Sequence, residues 1–372
     1  MNKEGVTKKI IDQIEFCDQC NLCVDSCPTY NATKKEIFAP PFRLNIAKRF
    51  YQGDALSPEE IESIYNCPQC GLCDILCPNE IMVSDIMDKC RRELVMRGFG
   101  PLDKHNKIIE GILKVGNSVN GDPDKRWNWL PEEFPRKESD TLFYVGCLPS
   151  YLVQNSARSS YLVLKGLGVD FMLYEDEDCC GIYFYNAGRW DLARENFEKN
   201  QERFKKLGIK RIITNCAGCF YCFKNYYPQI LGETDFDVLH IVEMLPPLLK
   251  ERELEIKRFR REGTYLDSCR LGRKEGIYDP PRESLKLCGL ELKEAKNNKE
   301  KAACCGAGAG IRSVYRDLSF GIALQTLDNA PSKTIITACP FCSFNLSYAS
   351  KKGERGKDLV YITDIVLETL SK

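Results

Sequence analysis

The spacing of the cysteines constrains this chain more than any other feature. The 372 residues contain 21 cysteines, and two groups of them recur at fixed offsets. Each cysteine of the first group has an equivalent 50 residues later, and both copies read C-x2-C-x2-C-x3-C-P. We name these copies the first run (Cys17, Cys20, Cys23 and Cys27) and the second run (Cys67, Cys70, Cys73 and Cys77). Cysteines repeated at this density indicate metal or redox chemistry rather than a disulfide framework.

The second group of cysteines is spread over a longer unit. A single cysteine, a Cys-Cys-Gly triplet and a C-x-x-C pair recur at offsets of 122 to 125 residues. We name the copies the first CCG set (Cys147, Cys179, Cys180, Cys216 and Cys219) and the second CCG set (Cys269, Cys304, Cys305, Cys339 and Cys342). Five cysteines in one order with near-equal gaps indicate a duplicated unit.

The composition excludes several classes of protein. An apolar fraction of 43% is that of a globular chain, and 53 Lys and Arg residues balance 53 Asp and Glu residues. This balance gives no electrostatic case for nucleic acid or for an anionic membrane. The N-terminus lacks the apolar region of a signal peptide, and no apolar run is long enough to span a bilayer. We therefore expect a cytoplasmic protein whose membrane contact, if any, runs through a partner subunit.

Both CCG sets lie within alternating strand and helix patterns. The patterns predict strands that end in the first cysteine or the C-x-x-C pair of each set, at 141–147, 211–216, 264–269 and 334–339. Further strands are predicted at 169–176 and 291–295, and helices at 151–168, 186–208 and 311–329. Such alternation predicts parallel strands with crossover helices, and cysteines at the carboxyl edge of each sheet.

The predicted fold is α/β with a mostly helical N-terminal part. We expect a domain for two clusters at 1–97, a linker at 98–140, and two tandem α/β domains related by the internal repeat at 141–255 and 256–372. The charged stretch 248–263 is expected to be a solvated helix and connection, with a basic docking face as the alternative.

The two short runs have the pattern of bacterial ferredoxins. In that pattern three closely spaced cysteines hold one cubane 4Fe–4S cluster, and the fourth cysteine reaches the other cluster. We expect one cluster on Cys17, Cys20, Cys23 and Cys77, and the other on Cys67, Cys70, Cys73 and Cys27. A structural zinc pair is the alternative, although zinc favours two separated C-x2-C pairs.

Each CCG set offers more thiolates than a cubane cluster or a zinc ion needs. Five cysteines, two of them adjacent, suit a larger or more open iron–sulfur assembly. Buried free thiols at strand ends, or zinc, are the alternatives.

The order of these parts resembles the D subunit of heterodisulfide reductase, a fusion of the C-type and B-type subunits of that enzyme. The resemblance covers roughly residues 10–372 and rests on the cysteine pattern. In that family each complete CCG motif holds a noncubane 4Fe–4S cluster, and the two clusters flank and cleave the disulfide of coenzyme M and coenzyme B. The resemblance implies two noncubane clusters here, one on each CCG set, with these ten cysteines as catalytic and metal-binding residues.

The resemblance implies a disulfide-reducing subunit of a larger complex. Electrons would come from an electron-donating subunit, either a flavoprotein or a membrane cytochrome b, and a small-molecule disulfide would be the substrate. The alternative is an electron-transfer subunit without a disulfide of its own. Such a subunit serves a flavin dehydrogenase for glycerol-3-phosphate, glycolate or lactate, or a membrane sulfite-reduction complex.

The residues after each Cys-Cys-Gly triplet differ in size. Small residues at 307–310 follow the second triplet, whereas the bulky segment 182–185 follows the first. We therefore favour the second set as the more open one. Tyr183, Phe184 and Tyr185 are expected to pack in the core. The alternative is that they form the wall of a thiol pocket, where Tyr183 or Tyr185 supplies a proton.

Residues outside both patterns are expected to be structural. The three spare cysteines are predicted to be buried free thiols: Cys90, Cys222 and Cys288. The two histidines, His105 and His240, are predicted to be ordinary helix or loop residues, with proton delivery as the alternative. Three arginines near the second set are predicted to form ion pairs, with binding of a sulfonate or phosphate as the alternative: Arg270, Arg273 and Arg312.

Overall fold

A helical N-terminal part precedes two parallel α/β units, so the predicted fold class is confirmed. The computed structural model describes residues 3–251 and 261–370. The helices of the N-terminal part are α1 (Lys3–Glu15), α2 (Pro28–Thr33), α3 (Pro40–Gln52), α4 (Pro58–Tyr65), α5 (Leu72–Leu76) and α6 (Val83–Met96). Helices α3, α4 and α6 pack on one another. Their apolar side chains form a buried core that includes Phe50, Ile64, Met87 and Cys67, which anchors the second run.

The first α/β unit contains a three-stranded parallel sheet. Its strands lie in chain order, β1 (Thr141–Tyr144), β2 (Arg211–Thr214) and β3 (Asp237–His240). Its helices are α8 (Cys147–Tyr151), α9 (Gln154–Gly166), α10 (Ile182–Asn186), α11 (Trp190–Lys206), α12 (Ala217–Tyr221), α13 (Tyr227–Leu231) and α14 (Ile241–Lys250). A π-helical turn, Cys222–Tyr226, joins α12 to α13.

The second α/β unit contains a four-stranded parallel sheet in the order β5-β4-β6-β7. Its strands are β4 (Glu262–Leu266), β5 (Glu291–Leu292), β6 (Thr334–Thr337) and β7 (Asp358–Tyr361). Its helices are α15 (Gly272–Glu275), α16 (Asp279–Leu287), α17 (Ile311–Val314), α18 (Arg316–Asp328), α19 (Pro340–Lys352) and α20 (Ile362–Leu370). None of the helices in the described ranges has the length and apolar character that crossing a bilayer requires.

The two α/β units share one apolar core. Helix α9 packs on α20, and α14 packs on α16, so each contact joins the two units. Buried residues of this core include Tyr161, Leu245, Leu285 and Val366. Because the core is continuous, the carboxyl edges of the two sheets are held in a fixed relation.

The segment 169–176, predicted to be a strand, forms only one bridge to β1, between Met172 and Leu142. The chain turns directly afterwards, because the N–H of Glu177 donates to the carbonyl of Tyr174 at 3.1 Å. This turn brings the Glu177 carboxylate to the edge of the sheet, where it accepts the backbone N–H groups of Val145 and Gly146, both at 2.9 Å. Two strands that the sequence patterns did not predict, β3 and β7, complete the sheets.

The segment 98–140, predicted to be a linker, contains a helix. Helix α7 (Asp103–Val115) buries Ile109 and Ile112 against the core of the first α/β unit. It ends at Gly116, whose φ of +69° suits a residue without a side chain. Most of the charged stretch 248–263 lies outside the described residues, so the expectation of a solvated helix there stays a prediction.

Arg91 joins all three parts of the chain. It is fully buried, and its guanidinium donates to five backbone carbonyls. These belong to the N-terminal part (Ile64, Tyr65 and Cys67), to α10 of the first unit (Asn186) and to the second unit (Ala309). The hydrogen bonds to the carbonyls of Tyr65, Cys67 and Asn186 are 3.0 Å or shorter. Loss of this side chain would leave several buried carbonyls without a donor.

Replacing Arg91 by Met should lower the free energy of unfolding by about 3 kcal/mol or more, because buried carbonyls lose a charged donor. The measurement is anaerobic urea unfolding followed by circular dichroism. Arg92→Met is the matched control, since Arg92 is exposed and lies over the Trp190 ring at 4.7 Å. Equal unfolding midpoints for the two variants would contradict the role assigned to Arg91.

Candidate metal centres

The second run gathers its thiols around a cysteine of the first run. Burial, then Asp74, then the neighbouring thiols of Cys67, Cys70 and Cys27 raise the pKa of Cys73 well above its ordinary value. Cys27 also accepts a hydrogen bond from the Arg43 guanidinium at 3.6 Å. The structure therefore brings together the four cysteines predicted for one cubane cluster.

The first run gathers three thiols nearer the surface. Burial raises the pKa of Cys23 to about 12, and the neighbouring thiols Cys17, Cys20 and Cys27 contribute to the increase. A hydrogen bond from its own backbone N–H lowers this pKa in part. Cys20 is exposed, whereas Cys23 is half-buried. Cys77, the predicted fourth ligand, packs against the same apolar cluster as Cys17.

The first CCG set forms a continuous chain of touching thiols. The order of the contacts is Cys147, Cys179, Cys180, Cys219 and Cys216, and all five side chains are buried. The predicted five cysteines therefore converge on one place, at the carboxyl edge of the first sheet.

The second CCG set forms an equivalent chain, with an extra member from the N-terminal part. The order of these contacts is Cys70, Cys304, Cys305, Cys342 and Cys339. Cys269 lies close enough to Cys70 and Cys339 for Coulombic interaction with both. Cys70 belongs to the second run, so the predicted cubane site and the second CCG set are in direct contact.

The same backbone geometry recurs in both CCG sets. Gly181 and Gly306 adopt φ of +83° and +76°, and the backbone N–H of each donates to the first sulfur of its triplet at 3.4 Å. A β-carbon would lie 2.8 Å or less from Phe197 at Gly181 and from the Ser319 carbonyl at Gly306. The triplet therefore needs glycine for its left-handed backbone and for this close packing.

Cys222, predicted to be a spare thiol, contacts Cys180 and donates to the Cys180 carbonyl at 3.3 Å. The equivalent residue of the second unit is Asn345, which donates to the Cys305 carbonyl at 2.6 Å. Both side chains hold the second cysteine of a triplet by the same bond. The alignment of positions 222 and 345 in the repeat is the sequence signal that would have revealed this role.

The remaining spare residues have structural surroundings. Cys90 and Cys288 are buried, as predicted. His240 caps α14, accepting the backbone N–H of Val242 at its Nδ1 at 3.4 Å. Arg273 donates to the carbonyls of Cys70 and Glu300, at 2.9 and 2.7 Å, and so fastens the second run to the second unit.

A cavity lies beside the second CCG set. All five cysteines of that set line it, together with the small segment 307–310. Residues of the first unit also line it, among them Tyr183 and Gly218, and Phe341 lies near Gly218. Arg270 also lines the cavity, where its guanidinium donates to the Tyr226 hydroxyl at 2.9 Å. Arg312 instead lies over the Tyr348 ring at 4.5 Å.

The charges around the second run suit an anionic group. Arg43 and Arg91 are both buried, and their hydrogen bonds go to carbonyls, to the Asn66 side chain and to Cys27 Sγ. The neutral acceptors of Arg43 satisfy its N–H groups but leave its buried positive charge without a counter-charge among the described residues, whereas Arg91 lies within Coulombic range of the buried Asp88 carboxylate. An anionic cluster held by the adjacent thiolates would supply that counter-charge.

Within residues 3–251 and 261–370, no group of three or more Cys, His, Asp or Glu side chains is placed to hold one metal ion. A four-iron cluster makes a different demand, because its thiolates ligate different iron atoms and surround the cluster. The converging thiols and the buried arginines therefore fit iron–sulfur clusters.

Family models agree with this arrangement. A 4Fe-4S dicluster domain matches residues 13–81, and a cysteine-rich domain matches 141–224 and again 263–347. The chain is therefore an iron–sulfur protein with a ferredoxin-like part and two CCG domains.

Curated relatives show which family of iron–sulfur proteins the chain belongs to. The D subunit of the dihydromethanophenazine:CoB–CoM heterodisulfide reductase of Methanosarcina mazei is 31% identical, over 93% of this chain and 91% of that protein. The B subunit of the fumarate reductase (CoM/CoB) of Methanothermobacter marburgensis is 27% identical, over 91% of this chain and 69% of that protein. The EtfAB:quinone oxidoreductase of Syntrophomonas wolfei is 29% identical, over 93% of this chain and 56% of that protein. The chain belongs to the family of heterodisulfide reductase D subunits and is one component of an iron–sulfur oxidoreductase.

The comparison of Cys222 with Asn345 yields a prediction. Cys222→Asn should keep the iron content of the wild type, because asparagine supplies the same donor to the Cys180 carbonyl. Cys219→Ser should lose roughly a quarter of the iron, the share of one 4Fe–4S cluster in four. Both are measured as iron and acid-labile sulfide on anaerobically purified protein. An equal loss in Cys222→Asn would make Cys222 a ligand instead of a support.

Proposed function

We propose that this chain is the disulfide-reducing subunit of a heterodisulfide-reductase-like complex. It would take two electrons and two protons and convert one disulfide of the coenzyme M–coenzyme B type into two thiols. The observation that carries the proposal is the cavity lined by all five cysteines of the second CCG set, of which Cys304 contacts a cysteine of the second run.

The proposal includes four clusters. Two cubane 4Fe–4S clusters would be held by Cys17, Cys20, Cys23 and Cys77, and by Cys67, Cys70, Cys73 and Cys27. Two noncubane 4Fe–4S clusters would be held by the first and the second CCG sets. When bound, these clusters supply single electrons and iron atoms with affinity for sulfur.

The contacts between thiols support one route for electrons. The exposed Cys20 marks the surface end of the series, and Cys23 interacts with Cys27, which reaches the second run. Cys70 of the second run then contacts Cys304 at the cavity. The series therefore connects the surface with the second CCG set.

The surface around Cys20 supports docking of an electron-donating subunit, such as a flavoprotein or a membrane cytochrome b. Phe16 precedes the first run and Leu22 lies within it, and these residues are 67% and 61% exposed. Exposed large apolar residues beside a redox site are typical of a protein interface.

The cavity supports a disulfide as the substrate. The small segment 307–310 leaves room next to the cysteines, while Phe341 and Ile182 contribute apolar surface. Arg270 supplies a permanent positive charge on the cavity wall, suited to an anionic group of the substrate. A β-carbon added at Gly218, which lines the cavity, would lie 3.7 Å from Cys216 Sγ. The first CCG set is therefore close to this part of the cavity wall.

The second candidate is an electron-transfer subunit that has no disulfide of its own. The similarity to an EtfAB:quinone oxidoreductase favours this candidate, since that protein is named for electron transfer to quinone. The two candidates differ in one observable, which is oxidation of the reduced protein by a disulfide.

The test is anaerobic and uses the full chain. Purified protein should carry about 16 irons, the sum for four 4Fe–4S clusters. With reduced methyl viologen as donor, adding the coenzyme M–coenzyme B disulfide should oxidise the dye and release thiols in proportion. Full iron content without oxidation by this or other small disulfides would support the second candidate and contradict the first.

Cys305→Ser should abolish disulfide-dependent dye oxidation, at least about 100-fold, because it removes a cysteine that lines the cavity and would hold a cluster. The optical spectrum of the ferredoxin part should remain. Cys288→Ser is the matched control, since Cys288 is buried, lies 3.7 Å from the Thr369 hydroxyl and does not line the cavity, so it should keep full turnover. Full turnover in Cys305→Ser would place the reaction elsewhere.

A further inference from the structure

A tyrosine and a histidine lie together at the cavity and have no part in holding a cluster. Tyr183, on α10 of the first unit, lines the cavity together with the second CCG set. Its hydroxyl lies 3.0 Å from Nδ1 of His105, on α7. The His105 ring is buried between Tyr183 and Tyr65, at centroid distances of 5.9 and 5.0 Å.

The glycine-rich segment after the second triplet makes room for this pair. Gly310 adopts φ of +85°, and a β-carbon there would lie 2.7 Å from Cε1 of His105. The same β-carbon would lie 3.7 Å from the Tyr183 hydroxyl. Any larger residue would therefore displace His105 and fill the space in front of the Tyr183 oxygen.

The surroundings of His105 determine which way its hydrogen bond runs. Burial, and then Arg91, lower the pKa of His105 to about 3, so the ring is neutral and carries one proton. Nε2 of His105 is buried and has no hydrogen-bond partner among the described residues. A proton on Nε2 would leave a buried N–H donor unsatisfied, which is rarer in proteins than an unsatisfied acceptor. The favoured tautomer therefore carries the proton on Nδ1, which donates to the Tyr183 oxygen.

This tautomer frees the hydrogen of the Tyr183 hydroxyl. Because His105 occupies a lone pair of that oxygen as a donor, the O–H of Tyr183 must point away from the ring. Tyr183 lines the cavity, so a sulfur atom bound there is an available acceptor. Burial raises the pKa of Tyr183 above its ordinary range, so the hydroxyl keeps its proton and acts as a donor of a hydrogen bond.

We propose that Tyr183 is a catalytic residue that donates a hydrogen bond to a sulfur released in the cavity, and that His105 is the positioning residue that orients it. The inference rests on the proposed disulfide reduction. In that reaction the S–S bond breaks, two electrons arrive from the reduced protein, and the negative charge develops on the two sulfurs. The Tyr183 hydroxyl stabilises that charge at one sulfur and keeps its own proton, while solvent supplies the two protons of the product thiols.

Tyr183→Phe removes only the hydroxyl. Its kcat should fall about 10- to 100-fold, at the lower end of what one donor to a developing anion contributes. KM, iron content and reduction by viologen should stay at the wild-type values. Tyr185→Phe is the matched control, because the Tyr185 ring is stacked on Tyr226 and its hydroxyl donates to Gln229 at 2.9 Å. That variant should keep the wild-type kcat.

The role of His105 is tested by a pair of variants. His105→Leu should lower kcat as far as Tyr183→Phe does, and His105→Asn, which keeps an N–H near the position of Nδ1, should recover most of it. The double variant Tyr183→Phe/His105→Leu should be no slower than Tyr183→Phe, because both changes remove one interaction. A further loss in the double variant, or no recovery by asparagine, would make His105 a purely structural residue and overturn the inference.

A binding measurement separates this inference from the proposed function. The probe is coenzyme M, which is titrated into the oxidised protein while the absorption spectrum of the protein is recorded. The affinity should fall about five- to tenfold in Tyr183→Phe and stay unchanged in Tyr185→Phe. If the wild type reduces disulfides but Tyr183→Phe matches it in kcat and in coenzyme M affinity, the inference fails and the proposed function stands. If the wild type neither turns over a disulfide nor binds the thiol, both fail.

Discussion

The hydrogen bonds of Arg91 fix the geometry on which the rest of the molecule depends. Its guanidinium binds carbonyls of Cys67, Asn186 and Ala309, one from each part of the chain. The cavity wall is built from Pro68, Asn186 and Ala309, which are these residues or their direct neighbours. A buried guanidinium has five donors in a rigid plane, so it tolerates little displacement of its acceptors. Arg91 therefore helps to set the shape of the cavity, and Arg273, which donates to the Cys70 carbonyl at 2.9 Å, helps to hold Cys70 beside Cys304.

The two CCG sets have the same local geometry in different surroundings. Gly181 and Gly306 make the same N–H···S contact at 3.4 Å, and Thr214 and Thr337 accept the N–H of Cys216 and Cys339 at 3.2 and 3.3 Å. The first set has Cys222 as its additional thiol, whereas the second has Cys70. Duplication therefore produced two similar centres, and the packing of the N-terminal part distinguished them. In the second set, Cys304 contacts Cys70 of the second run, and all five cysteines line the cavity.

Much of the fold could be predicted because its signals are local. Each cysteine pair follows a short apolar strand, and helix α11 ends next to Gly208, whose φ is +69°. The crossing of Cys27 to the second run was likewise readable from one pattern. The strand predicted at 169–176 was wrong, since only the bridge of Met172 to Leu142 forms there. The chain turns after it, so that the Glu177 carboxylate accepts the N–H groups of Val145 and Gly146.

The features that were missed depend on residues far apart in the chain. The contact of Cys70 with Cys304 and that of His105 with Tyr183 join elements that no repeat or periodicity relates. His105 lies on helix α7, as predicted, but its contact with Tyr183 could not be read from the sequence. The preference for the second set as the open one rested on residue size alone; a cavity lined by all five of its cysteines lies beside that set, and another cavity lies beside Cys179 of the first set.

The central claim is that a disulfide is cleaved at the second CCG set, with electrons delivered through Cys70. The most direct measurement is an anaerobic crystal structure with iron anomalous scattering, using crystals soaked in the product thiol. The account predicts iron beside both runs and both CCG sets, with the thiol sulfur in the cavity between the second set and Tyr183. Iron at the two runs alone, or a thiol bound at the first set instead, would contradict it.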